Sequence, residues 1–174
     1  MVLLSAVLFV ELFRLNDWLF SALEHSKGVN LVFLPAGFRV LLVLIMGLPG
    51  AAGIVLGNLW LDRDHLALSS LIPILSIGIA SGFGPWLVRC WMEKRGLIDR
   101  HLLDLSSSQL LHFVLLYAAF NAFSHQAVHW VFSTPEAVPW VDVWPMFFGD
   151  AIGALAVLYA VKLVLSQLRR KNAS

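Results

Sequence analysis

From Leu110 to Phe132 the chain reads LLHFVLLYAAFNAFSHQAVHWVF, without one Lys, Arg, Asp or Glu. Crossing the hydrocarbon of a bilayer takes about 20 residues of helix, because only there is each backbone N–H and C=O paired inside the segment. Two further stretches match it: residues 66–87 carry no charge, and residues 144–165 carry only Asp150 and Lys162. Residues 1–20 make a fourth segment, less apolar because it holds Glu11, Arg14 and Asp17. Short connections separate these stretches, and together they define an all-α integral membrane protein.

Residues 31–60 are too long for one ordinary span. Gly47, Leu48, Pro49 and Gly50 interrupt them near the middle, where proline removes a donor and disfavours a continuous helix. Two short helices fit best, and a single broken helix is the alternative. The expectation is therefore a bundle of five to six transmembrane helices with one segment short or broken near Pro49.

Composition agrees with this reading. Of 174 residues, 59% are hydrophobic and 13% charged, and the mean hydropathy is +0.81, far from the balance of a water-soluble domain. The short connections leave no room for a soluble catalytic, kinase or nucleic-acid-binding domain, so residues 1–174 are expected to form a single transmembrane domain. The lone cysteine, Cys90, excludes an internal disulfide and a cysteine-based metal cluster. The first apolar run lacks a basic flank and a small-residue cleavage site, so it is expected to be a retained helix.

Basic residues set the expected orientation, since loops rich in Lys and Arg stay in the cytoplasm. Arg89, Lys94, Arg95 and Arg100 lie in the connection 89–107, and Arg169, Arg170 and Lys171 form the tail. Both are expected to be cytoplasmic. The loop 133–143 has Glu136, Asp142 and two prolines but no basic residue, and Trp130, Trp140 and Trp144 crowd it as an outer aromatic belt would. Six spans place the N-terminus inside; five place it outside.

Small residues recur four apart at Gly53 and Gly57, Gly78 and Gly82, and Gly149 and Gly153. Flat surfaces of this kind admit the close backbone contact by which helices associate in lipid. Polar groups at membrane depth are costly and are candidates for function. Asp150 sits inside the last span, and Arg39, in the short helix after Pro35, is its expected counter-charge. Glu11 and Arg14, three apart, are expected to satisfy each other.

Tyr117, Asn121, His125 and His129 follow at intervals of four and form one stripe on a helix face. That stripe must face protein or water. His125 and His129 have the spacing of two imidazoles on one metal, with His112 further along, but local sequence supplies no third ligand. Interhelical hydrogen bonding is the expectation, with no metal and no cofactor. No phosphate loop, nucleophile elbow or paired-carboxylate motif appears, so no enzyme activity is expected. The run Gly82-Phe83-Gly84-Pro85 reads as a kink inside a helix.

Two stretches carry a family likeness. Phe33-Leu34-Pro35-Ala36-Gly37, an apolar run, and Leu48-Pro49-Gly50-Ala51-Ala52-Gly53-Ile54-Val55-Leu56-Gly57-Asn58 come first; Val143-Trp144-Pro145-Met146-Phe147-Phe148-Gly149-Asp150-Ala151-Ile152-Gly153-Ala154-Leu155 comes later. Together, with the basic end of the middle span from Leu87 to Arg95, they resemble the bacterial membrane-associated sensor domain of the MASE type over about residues 30–165. The resemblance marks Pro35, Gly37, Gly57, Asn58, Gly149, Asp150 and Gly153. Members of that family usually have about eight spans and precede cytoplasmic signalling domains; this sequence has fewer spans, is expected to be a shortened, stand-alone version, and has Phe33 and Leu34 where a Trp-Pro start is usual.

The likeness implies a bacterial inner-membrane, multi-pass protein with a cytoplasmic C-terminus, acting as a stand-alone sensory or regulatory subunit. Its expected partners are the lipid bilayer and another membrane or signalling protein, with no nucleic acid. The alternative is a small substrate-binding membrane subunit of a transporter, which short helices and midplane polar groups also suit. The candidate ligand or intramembrane polar residues are Arg39, Asn58, Asn121, His125 and Asp150; the candidate packing residues are Pro35, Gly37, Gly53, Gly57, Gly149 and Gly153.

Overall fold

The computed structural model describes residues 1–20, 24–26, 29–30, 32–67, 70–99, 106–132 and 139–171. Six helices and one small hairpin follow in order: α1 Val2–Phe20, β1 Glu24–Ser26, β2 Val29–Asn30, α2 Leu34–Met46, α3 Leu48–Leu61, a 3-10 turn Arg63–His65, α4 Leu71–Lys94, α5 Ser107–Val131 and α6 Pro139–Lys171. The architecture is helical, with the addition of an antiparallel hairpin pairing Glu24 with Asn30 and packed beside α6.

Residues 31–60 form two helices, and the break falls at Gly47. Its φ of 62° is a left-handed conformation that glycine adopts without penalty. The Gly47 N–H donates to the Val43 carbonyl at 2.9 Å, which closes α2. Pro49 then lies in the first turn of α3, where its missing N–H leaves no bond unmade.

Three boundaries differ from expectation. Helix α4 starts at Leu71 and continues past Leu87 to Lys94, so Arg89 and Lys94 belong to the helix and not to a connection. Arg89 is held there by Glu93, one turn on, with Nε to Oε1 at 2.7 Å. Helix α5 begins at Ser107 because Ser106 caps it: its Oγ accepts the Gln109 N–H at 3.2 Å, and the Gln109 Oε1 accepts the Ser106 N–H at 2.9 Å, a reciprocal capping box. Helix α6 begins at Pro139, so Asp142 and Val143 lie in its first turns and not in a loop; an early acidic residue complements the positive helix start. Arg100, residues 133–138 and the side chains of Arg169, Arg170 and Lys171 lie outside the described residues.

Two helices, Leu71–Lys94 and Trp140–Val164, are long and apolar enough to cross a membrane by length and composition. Helices α2 and α3 are apolar but have only 13 and 14 residues. Helix α5 has 25 residues, but polar groups dilute its hydropathy, and α1 carries the Glu11–Arg14 pair at 2.9 Å together with Asp17.

Close approaches fix the helix directions. A Cβ at Gly53 would meet Val2 and Ser5, and one at Gly57 would meet Ala6 and Phe9, so α1 and α3 run parallel. Gly82 meets Ala51 and Val55 while Gly78 meets Val55 and Asn58, which makes α3 and α4 antiparallel. Gly153 abuts Phe33 and Gly37 abuts Ala154 and Val157, so α2 and α6 are parallel. Helices α1, α3 and α5 thus run one way and α2, α4 and α6 the other. Helix α2 is central, shared by one core with α4, α5 and α6 around Val40, Met92, Tyr117 and Ala154 and another with α1 and α3 around Phe9, Val43 and Ile54.

One consequence positions the site. Helix α2 starts beside Gly149, about 15 Å along α6 from Pro139 at the helical rise per residue. Its first backbone donors are therefore inside the bundle, and protein groups satisfy them: Phe33 N–H donates to the Gly149 carbonyl at 3.1 Å, and Leu34 N–H to the buried Asn16 Oδ1 at 2.9 Å. At its other end, Arg89 Nη1 reaches the Val43 carbonyl at 3.3 Å.

Candidate functional site

The polar stripe of α5 meets a different helix at each step. Tyr117, fully buried, accepts at its hydroxyl a hydrogen bond of 3.4 Å from Arg39 Nη1 on α2. Asn121, one turn on, donates from Nδ2 to Asp150 Oδ2 on α6 at 2.6 Å. His125, a further turn on, lies with Nε2 2.8 Å from Ser81 Oγ on α4. Residues four apart share a helix face, so a single row on α5 ties α2, α6 and α4 together.

Arg39 and Asp150 carry opposite charges in this interior, at 3% and 1% exposure. The direct pair expected from sequence is not formed: among the described residues no ion pair joins the two, and each has its own partner on α5, Tyr117 for Arg39 and Asn121 for Asp150. Asp150 lies beside the start of α2, whereas the backbone of Arg39 lies more than a turn further along, past Gly37 and its contacts with Ala154 and Val157, and its guanidinium turns to the Phe9 and Phe33 rings. Helix α5 spans that offset with the two side chains one turn apart.

The guanidinium of Arg39 is held instead between aromatic faces. Its Cζ lies 5.1 Å from the ring centres of both Phe9 and Phe33, a desolvated cation–π sandwich. Arg39 Nε and Asn121 Oδ1 remain buried without a hydrogen-bond partner among the described residues. A donor and an acceptor are thus left over in the same network, where an unmatched polar group costs about 1–3 kcal/mol.

The other sequence candidates have these places. Asn58 is buried but turns back to its own helix, donating to the Ile54 carbonyl at 2.9 Å, so it stays outside the network. Pro35 is fully buried in the first turn of α2, and Gly37, Gly53, Gly57, Gly149 and Gly153 sit at the helix contacts already described. His129 is half-buried, and among the described residues no group of three His, Cys, Asp or Glu is placed to hold a metal ion.

Sequence reasoning missed several partners. Asn16 on α1 caps α2, Ser5 Oγ donates to the Gly50 carbonyl at 2.9 Å, and Ser81 meets His125. All three are fully buried. Their signal was present as isolated polar residues in otherwise apolar helices, although a serine or asparagine satisfied within its own helix, as Asn58 is, looks the same in sequence.

The chain matches no protein-family model, no curated protein and no solved structure.

Proposed function

We propose that this chain is a multi-pass membrane protein of five to six spans that works as a sensory or regulatory subunit through a partner protein. Its surface supports the membrane reading by inversion: Leu3, Trp18 and Ile45 are 75%, 78% and 75% exposed while Asn16, Arg39, Asn121 and Asp150 are buried. Water would penalise such a surface, whereas hydrocarbon solvates it. The alternating directions place Met1, Gly47, Lys94, Ser107 and Lys162 at one end, with Arg89 and Arg95, and basic residues favour the cytoplasmic side.

The observation that carries the regulatory reading is the two buried polar pairs, Arg39–Tyr117 and Asn121–Asp150, one turn apart on α5, with a spare donor and acceptor. Ionisable side chains at membrane depth are costly and mark functional positions. Because the network touches α2, α5 and α6 and neighbours α4 through His125, a ligand or proton received there moves four helices relative to one another. The likeness to sensor domains of the MASE type points the same way.

Two measurements test this. An alkaline phosphatase reporter fused at Ala137 is expected to be active and one after Ser174 inactive; the reverse pattern overturns the orientation. Purified in mild detergent, the protein is expected to bring down a kinase or cyclase in stoichiometric amount, and Asp150→Asn to change that enzyme's activity without releasing it. An ATPase or coupling protein in its place favours the transport reading, which the mid-depth start of α2 also suits, since transporters build substrate sites at broken helices.

A further inference from the structure

The C-terminal part of α5 and the first turns of α6 line a second feature, distinct from the Arg39–Asp150 network and open at the surface, where Phe123, Trp130 and Trp140 are 55%, 74% and 81% exposed. A pocket of about 180 Å³ is lined by Phe123, Gln126, Ala127, Trp130, Trp140 and Val143. The walls are almost wholly apolar, and three of them are aromatic rings. Gln126 is the exception. It is 6% exposed, its Nε2 donates weakly to the Met146 sulfur at 3.8 Å, and its Oε1 is buried without a partner among the described residues.

We infer that this pocket binds a single aromatic ring bearing a hydroxyl, a phenol or the head of a quinol, with the ring O–H donating to Gln126 Oε1. Size selects one ring: a cavity of about 150 Å³ accommodates benzene. Shape selects an aromatic, because Phe123, Trp130 and Trp140 offer ring faces and edges for offset or edge-to-face contact. The lone acceptor selects a donor. A buried carbonyl oxygen without a partner gains from an O–H and gains nothing from an ether or hydrocarbon of the same outline. The location also fits, since tryptophans at the membrane interface mark the depth at which amphipathic rings concentrate. The site is independent of the regulatory reading and survives if that reading fails.

The test uses the full chain in detergent and two probes of matched shape, p-cresol and 4-methylanisole, titrated by tryptophan fluorescence. The cresol is expected to bind saturably and about tenfold more tightly than the ether, the worth of one buried hydrogen bond. Gln126→Leu is expected to bring the ratio near one, and Ala127→Phe, on the lipid-exposed rim, to abolish binding of both. Competition by 1,4-hydroquinone in detergent marks a free phenolic compound as the occupant, and competition only by a prenylated quinol in vesicles marks the membrane quinol. Equal affinity for the two probes in the unmodified protein, a ratio unchanged by Gln126→Leu, or no saturable binding of any hydroxylated ring overturns the inference; the first of these needs no variant to fold.

Discussion

Asp150→Asn is expected to destabilise the bundle by about 3 kcal/mol, and Arg39→Met by about 1–2 kcal/mol, although both remove one charge from the same network. The asymmetry follows from protonation chemistry. Asparagine keeps the outline of Asp150 and its carbonyl can still accept the Asn121 N–H, which donates at 2.6 Å in the native arrangement, but it leaves Arg39 buried beside Phe9 and Phe33 without a compensating anion. A guanidinium does not shed its proton. In Arg39→Met the stranded group is a carboxyl, which desolvation can neutralise by protonation, while methionine still fills the space between the rings. The double variant is expected to return to within about 1 kcal/mol of Arg39→Met, because neither charge is then unmatched. Reversible unfolding in mixed detergent reads all three. If Asp150→Asn is as stable as the parent, the carboxylate does not balance Arg39. If the proposed regulatory role holds, a stable double variant that has lost it separates the network's function from its role in folding.

How much of this was legible in the sequence depends on the scale of the feature. Helix existence was legible, because apolar stretches without charge leave the backbone few alternatives. So was the division of 31–60, since a glycine and a proline two residues apart prepare a left-handed stop and a helix start at once. Ends were less so. Ser106 and Gln109 form a capping box in plain view, yet the apolar run begins only at Leu110, and hydropathy alone places the start there. The hairpin at 24–30 was not legible, because its residues lack the alternation of a half-buried strand.

The site was legible as a set of residues but not as a geometry. Asp150 and Arg39 stand out because each is expensive in an apolar segment, and Tyr117, Asn121 and His125 because their spacing puts them on one face. Pairing Arg39 with Asp150 directly needed the axial offset between α2 and α6, and that offset is fixed by where α2 begins. Its start depends on Asn16, Gly149 and Phe33, three residues distant in sequence whose roles appear only when the helices are side by side.

That start of α2 also locates the most sensitive packing position. Gly153→Ala is expected to cost about 3 kcal/mol or more, whereas Gly78→Ala, the same substitution in a neighbouring helix, is expected to be neutral or to stabilise by up to about 1 kcal/mol. A Cβ at Gly153 would drive directly into the Phe33 carbonyl and crowd the Leu34 N–H, both backbone atoms that no rotamer change can move. Relief requires the entry of α2 to leave α6, which lengthens the 3.1 Å bond from Phe33 to Gly149 and the 2.9 Å bond from Leu34 to Asn16 and exposes backbone donors where no water replaces them. At Gly78 the nearest atom to a new Cβ is on Asn58 at 3.6 Å, ordinary contact, so what remains is the lower entropy of alanine in the unfolded chain. Loss of the Arg39–Tyr117 bond should accompany the Gly153 change, because Arg39 rides on α2. Equal melting temperatures for the two variants in the same detergent would mean that α2 does not enter the bundle beside Gly153.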